Sequence, residues 1–488
     1  MHRATADDSG AQVMLSVLSI PRPRSRQDMD IPSSRPTESD LTEHAHNAAG
    51  TQGDRPVHPR DLILDSPMSA AQKRAVALAA VISALDGFDL LSVTFVAPAL
   101  ARAFQVDSAA IGILLSAGLV GALLGSITLA PLADLVGRRP IVLASLTVMV
   151  VGMLLSALCD SVFLLAIVRV LTGVGIGAMM VVVNPVAVEV ANRRTRSLAI
   201  AMLAVGYPLG GALGGLASAF LLRHVSWHSV FLLGAVLTML VVPFAAKALP
   251  ESLAFLLARR RADSLGRVNS LLRRFGHTAL AALPPVEQRR RTPYREIVRG
   301  RQLLTTVQVC VISLLLYMTI YFFLSWQPTM LVSAGFDASA AASVASAGSF
   351  LGAFVCAVFG LLSRRVDGRL LAAVGIFGLG ILVIAFGLVP SVPVLVVLTG
   401  VLAASSVAAG TLGLMITTAD AFAAPIRATG TGVVLGIGRI GSAAAPALAG
   451  ALFAAGGDRT EIAVVMGSLA VVAGLVLLTI RRGARRDS

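Results

Sequence analysis

Charge is scarce in this 488-residue chain: Asp, Glu, Lys and Arg make up 14% of it, against 56% hydrophobic residues and a mean hydropathy of +0.83. Soluble globular proteins carry about 25% charged residues, so that class is excluded. Cysteine is nearly absent. Cys159, Cys310 and Cys356 lie in or beside apolar runs with no ligand spacing, which excludes a disulfide framework and a thiolate metal site and leaves them as small buried hydrophobes. No G-x-x-x-x-G-K-[ST] loop occurs, so nothing indicates ATP as an energy source. "GIGRIG" at Gly436 to Gly441 matches G-x-G-x-x-G, yet no strand precedes it and its glycines read as helix packing. His224 and His228 share i, i+4 spacing, but no Glu follows His224 and no third ligand is evident. No metal and no cofactor are expected. Nor does a nucleophile and base pair stand out, so an enzyme is not expected either.

What the chain does have is long apolar runs. A hydrocarbon core about 30 Å thick is crossed by about 20 helical residues, and twelve runs meet that need. They are Ala75 to Ala103, Ala110 to Leu132, Pro140 to Leu158, Val162 to Val190, Ser197 to Leu222 and Ser229 to Leu249, then Leu303 to Val332, Ser339 to Leu362, Leu370 to Val389, Val392 to Phe422, Arg427 to Phe453 and Glu461 to Ile480. The runs are too long and too uniform for a closed barrel, so the expectation is an all-α polytopic membrane protein. The formal charge of +14 suggests nucleic acid until the arginines are located. They sit in alternate loops: Arg138 and Arg139, Arg193 to Arg196, Arg259 to Arg301, Arg364 to Arg369, Arg427, and Arg481 onward. By the positive-inside rule both termini are then cytoplasmic, and nucleic acid is not an expected partner.

Residues 1–72 are rich in Ser, Pro, Arg, Asp and His, a composition that predicts a disordered cytoplasmic tail. The apolar patch "VMLSVLSI" within it is too short for a secretory signal. The remaining organisation is a first six-helix bundle over 73–250, a cytoplasmic loop over 251–301, a second bundle over 302–481 and a short tail, 482–488. The halves resemble each other. "APALARAFQVD" places Pro98 nine residues before Asp107, "QPTMLVSAGFD" places Pro328 nine before Asp337, and "VLTGV" occurs at Val170 and again at Val397.

Four charges lie deep inside apolar runs, away from their ends. Asp86 sits about a dozen residues into the first run, ~18 Å along the axis at 1.5 Å per residue, and Asp89 is one turn further on the same face. Two nearby carboxylates resist ionising together, which suits a proton carrier; alternatively they lock their helix to an arginine. Arg169 in the fourth run and Arg439 in the eleventh suit a carboxylate substrate, since a guanidinium grips one through two parallel hydrogen bonds. A structural salt bridge is the alternative for Arg439. With both aspartates ionised the four charges sum to zero, so one bound anion would call for one proton. The seventh run holds Tyr317, Tyr321, Phe322, Phe323 and Trp326, and Tyr207 lies in "GYPLGG" of the fifth. Such rings can stack on an aromatic substrate, although Trp326 reads equally as an interfacial belt residue.

Collinear motifs then point to a family. "GSITLAPLADLVGRRP" carries Gly125, Asp134, Gly137, Arg138 and Arg139; "EVANRRTR" sets Glu189 and Arg196 in E-x6-R spacing; and "PES" spans Pro250 to Ser252. Together these resemble the major facilitator superfamily. "LDGFD", "RVLTG", "FLSWQPTML" and "RATGTGVVLGIGRIG" resemble its aromatic acid:proton symporters. The resemblance implies a monomeric carrier in the bacterial inner membrane that imports a small aromatic carboxylate with a proton by alternating access. Asp86 and Asp89 would couple the proton, with Asp86 the main site. Arg169, Arg439, Tyr207, Tyr317, Tyr321 and Trp326 would bind substrate, and Asp134, Arg138, Glu189 and Arg196 would gate the cytoplasmic side. "LLSRRVDG" departs from the family by placing Ser363 where an Asp precedes the basic residues. A drug:proton antiporter is the alternative suggested by "GYPLGGALGG", and a sugar porter the one suggested by E-x6-R with PES.

Overall fold

The computed structural model describes residues 58–259, 263–285, 297, 299–363 and 365–480. Fifteen helices and no strand occur among these residues. Twelve of the helices are long and apolar enough to cross a membrane. In the first half these are α2 (Ala70–Phe104), α3 (Ser108–Val136), α4 (Arg138–Ala157), α5 (Val162–Val190), α6 (Arg196–His224) and α7 (Trp227–Ala248). In the second they are α10 (Gly300–Ser333), α11 (Ala338–Leu362), α12 (Gly368–Leu388), α13 (Pro393–Ala421), α14 (Arg427–Ala454) and α15 (Arg459–Thr479). Three short helices, α1 (Pro59–Asp65), α8 (Leu253–Ala258) and α9 (Ser264–Arg274), lie on the arginine-rich side. Large apolar side chains such as Phe163, Phe244 and Phe354 stay more than half exposed, which water would penalise and a bilayer does not.

Local chemistry starts these helices where the sequence supplies a cap. Ser69 and Gln72 form a reciprocal capping box ahead of α2, and Asp458 and Glu461 form another at α15. The two aspartates of the internal repeat do the same task. Asp107 accepts from the Ala110 N–H at the start of α3, and Asp337 accepts from the Ala340 N–H at the start of α11. Packing repeats as well. In the first half α3 packs on α5, α2 on α6 and α4 on α7; in the second α11 packs on α13, α10 on α14 and α12 on α15.

The two bundles meet through α3 with α14, α6 with α11, and α2 with α10. On the face opposite the arginine-rich one, Gly112 of α3 lies against Pro446 and Gly450 of α14, and the Ala447 N–H donates to Ser116 Oγ at 2.9 Å. A second apolar cluster there joins Leu91 and Phe95 of α2 to Ala219 of α6 and to Ala342 and Ala345 of α11.

One expectation needs correction. Residues 58–72, assigned to a disordered tail, are helical over most of their length, because α1 buries Ile63 in a core with Val190, Leu253, Val268 and Leu272. That core also explains α9, whose apolar face is Val268, Leu271 and Leu272. The tail through residue 57, Arg364, parts of the 251–301 loop and the segment 482–488 lie outside the described residues.

Candidate functional site

Asp86 and Asp89 sit halfway along α2, and both are buried, with 4% and 1% of their surfaces exposed. The structure gives them different surroundings. Arg169 of α5 donates from Nη1 to Asp89 Oδ1 at 3.0 Å, and its Nη2 donates to Ser156 Oγ at 3.0 Å and to Thr172 Oγ1 at 3.3 Å. Its guanidinium also lies 5.2 Å from the centre of the Phe231 ring. Every one of these partners belongs to the first bundle. Asp89 and Arg169 thus form a buried knot among α2, α4, α5 and α7, with the residual charge of each carried by the other.

Asp86 has no such partner. Its Oδ1 is shut away from solvent and accepts no hydrogen bond. Arg439 of α14 lies within electrostatic reach, yet takes part in none of the ion pairs among the described residues. The two groups belong to different bundles and form no ion pair with each other. Three tyrosines complete the surroundings. Tyr317 and Tyr321, one turn apart on α10, stack with ring centres 5.9 Å apart and planes 14° from parallel. Tyr207 of α6 brings its hydroxyl near Tyr321, Asp86 and Tyr317, and that oxygen too is enclosed without a hydrogen bond of ordinary geometry. Gly87 makes this approach possible, because a Cβ there would occupy the place of the Tyr207 backbone carbonyl. Gly438, beside Arg439, does the same against the Tyr317 ring.

A sequence model of the Major Facilitator Superfamily matches residues 77–417. The chain belongs to that superfamily. Among curated proteins it is 30% identical to the gallate transporter of Pseudomonas putida, over 87% of this chain and 95% of that one. It is 31% identical to the 4-hydroxybenzoate transporter of the same organism, over 78% and 86%, and 26% identical to the 3-(3-hydroxy-phenyl)propionate transporter of Escherichia coli, over 84% and 94%. Its fold superposes on the xylose transporter XylE of E. coli with a TM-score of 0.66, at 15% identity and with 86% of this chain and all of that one covered. This facilitator is accordingly a multi-pass membrane transporter and not an enzyme.

Other residues singled out from the sequence fall elsewhere in the facilitator fold. Trp326 is 1% exposed, donates its indole N–H to the Pro446 carbonyl at 3.0 Å and packs on Phe453, so it wedges α10 against α14. At the arginine-rich face Arg138 pairs with Glu189, whose second oxygen accepts from Ser252 Oγ at 2.6 Å. This pair links α4, α5 and the start of α8. Asp134 and Arg196 are exposed and take part in none of the ion pairs among the described residues. Asp420 and Arg427, which repeat the Glu189 to Arg196 spacing in the second half, are exposed as well.

Sequence reasoning overlooked Glu251. Its Oε1 accepts the N–H groups of Arg138 at 2.8 Å, Arg139 at 3.3 Å and Ser252 at 2.9 Å, capping α4 from more than a hundred residues away. Gly137, the N-cap, has no side chain to do this and sits at φ +119°, where a Cβ would also strike the Glu251 carboxylate. The available signal was the "PES" tripeptide, recognised as a motif without a role. Ser156 and Thr172 were overlooked too, since small hydroxyl residues in apolar helices usually bond their own backbone.

Proposed function

We propose that this protein imports a small aromatic carboxylate together with a proton across the bacterial inner membrane, as a monomer, by alternating access between its two bundles. The observation that carries the reading is the pair of unclosed charges, Asp86 and Arg439, set among Tyr207, Tyr317 and Tyr321 where the bundles meet. Arg439 is the substrate's anchor, and the tyrosine rings supply stacking surface for its ring. Arg169 contributes indirectly, as the countercharge that holds Asp89. Transporters of gallate, 4-hydroxybenzoate and hydroxyphenylpropionate among the relatives support the substrate class.

Coupling follows from charge. With Asp89 balanced by Arg169, the ionised Asp86 balances Arg439, and an incoming carboxylate leaves one negative charge in excess. A buried charge without a partner is costly, so a proton on Asp86 favours substrate binding and bound substrate favours the proton. Asp89 tunes Asp86 from one turn away. In the cycle the bundle contacts at Ser116 and Ala447 close the outer side, and the arginine-rich face, with both termini, is cytoplasmic. Asp134 and Arg196 then act when that face closes.

The test is counterflow in proteoliposomes beside accumulation driven by an imposed pH gradient. Asp86→Asn, a permanent mimic of the neutral acid, is expected to exchange substrate across the membrane but not to concentrate it. Accumulation by this variant in response to the pH step would remove Asp86 from the coupling role.

A further inference from the structure

We propose that Ser156 and Thr172 are positioning residues for proton coupling: they hold the second prong of Arg169 away from Asp89, and so keep Asp89 Oδ2 as the acceptor for the proton that Asp86 carries. The proposal rests on reading Asp86 as the proton site. Left free, a guanidinium and a carboxylate close through two parallel hydrogen bonds. Here they close through one, from Arg169 Nη1 to Asp89 Oδ1 at 3.0 Å, while Asp89 Oδ2 is enclosed and accepts no hydrogen bond. The other prong, Nη2, donates instead to Ser156 Oγ at 3.0 Å and Thr172 Oγ1 at 3.3 Å. Both hydroxyl residues are fully buried.

The two hydroxyls are fixed as acceptors. Ser156 donates its own proton to the Gly152 carbonyl at 2.7 Å and Thr172 donates to the Val168 carbonyl at 2.8 Å, which leaves their lone pairs for the guanidinium. Gly152 makes room, since a Cβ there would stand 2.1 Å from Thr172 Oγ1. Glycine thus lets α4 and α5 meet where both hydroxyls face one nitrogen. An enclosed carboxylate oxygen without a donor is costly, and Asp86, one turn away on the same face of α2, has such an oxygen in Oδ1. A proton bonded to Asp86 turns that group into a donor, and its O–H···O bond to Asp89 Oδ2 satisfies the pair without moving Arg169. The other titratable groups around the carboxylates are Tyr207 of α6, Tyr317 and Tyr321 of α10 and Arg439 of α14, with Cys159 near Arg169 just past α4. From α7 the Phe231 ring faces the guanidinium. None of these groups donates to Asp89 Oδ2.

Infrared difference spectra of the purified protein, taken across a pH titration, read the C=O stretch of a protonated carboxylic acid directly and need no substrate. The wild type should show a buried acid whose band disappears in Asp86→Asn. A band that persists there would overturn the reading of Asp86 as the proton site, whatever the hydroxyl variants do. With Ser156→Ala and Thr172→Val combined, Arg169 is expected to close on both oxygens of Asp89. Asp86 then loses its acceptor, its band moves towards that of an acid without a hydrogen bond, and its titration midpoint falls by about one pH unit or more, about a tenfold loss of proton affinity. Each single variant should shift the same way by less, and these carry the test if the double variant does not fold. Packing and chemistry separate at one position: Thr172→Val keeps the shape and loses the acceptor, whereas Thr172→Ser keeps the acceptor and loses a methyl group. Thr172→Ser should titrate as the wild type does. An unchanged midpoint in the variants that lose a hydroxyl, a midpoint moved to higher pH, or a shift in Thr172→Ser equal to that in Thr172→Val would overturn the proposal.

Discussion

Arg169 and Asp89 are joined at 3.0 Å in the interior of the first bundle, where 3% of one side chain and 1% of the other remain exposed. Removing one member strands the other as an unpaired buried charge, at a cost of about 3–5 kcal/mol. Asp89→Asn and Arg169→Gln should each lower the melting temperature of the purified protein markedly. The double variant should lose less than the sum, because it leaves no net charge behind. Strict additivity in that cycle would mean that the pair carries no coupling energy.

Arg439 is expected to behave oppositely. It takes part in none of the ion pairs among the described residues, so Arg439→Lys should change stability by no more than about 0.5 kcal/mol. Lysine retains the charge but not the two-pronged grip, and substrate affinity should fall at least about tenfold. Wild-type uptake at equal membrane levels would take Arg439 out of the site.

Ser116 tests the seam between the bundles. Its hydroxyl accepts from the Ala447 N–H at 2.9 Å, and a hydrogen bond of this kind contributes about 1 kcal/mol. Ser116→Ala should move the balance of conformers roughly fivefold towards opening on that side. Spin labels on α3 and α14 at that face, read by pulsed dipolar spectroscopy, report the shift as growth of a longer distance.

Gly137 and Glu251 test the junction on the arginine-rich side. Gly137→Ala meets both a φ of +119° and the Glu251 carboxylate, and should destabilise by about 1–3 kcal/mol. Glu251→Ala removes the acceptor for three N–H groups and should show a melting loss of the same order. A Gly137→Ala protein that melts with the wild type would show that the junction is not constrained there.

Asp134 is exposed on the same side and takes part in none of the ion pairs among the described residues. Asp134→Asn should slow turnover while leaving substrate binding in detergent nearly intact. A loss of binding as large as the loss of transport would tie Asp134 to the site.

Much of the architecture is written locally in the chain. Hydrophobic length set all twelve membrane helices, because each helix satisfies its backbone within its own segment. The caps at Asp107 and Asp337 were legible as a repeat for the same reason. Four intramembrane charges were visible as anomalies in apolar runs, and their type already implied an anion and a proton. The sequence did not decide which charge meets which. Arg169 reaches Asp89 across 80 positions and Ser116 reaches Ala447 across 331, and such pairings depend on how each helix is rotated and which neighbour it packs on. The same rotation turned Trp326 into the α10 to α14 seam while leaving Tyr317 and Tyr321 beside Arg439. Helix identity is a property of a segment and follows from composition. That Arg169 is tied to Asp89 while Arg439 takes part in none of the ion pairs among the described residues is a property of the packed bundle, because it is set by which carboxylate the fold brings within hydrogen-bond distance of each guanidinium.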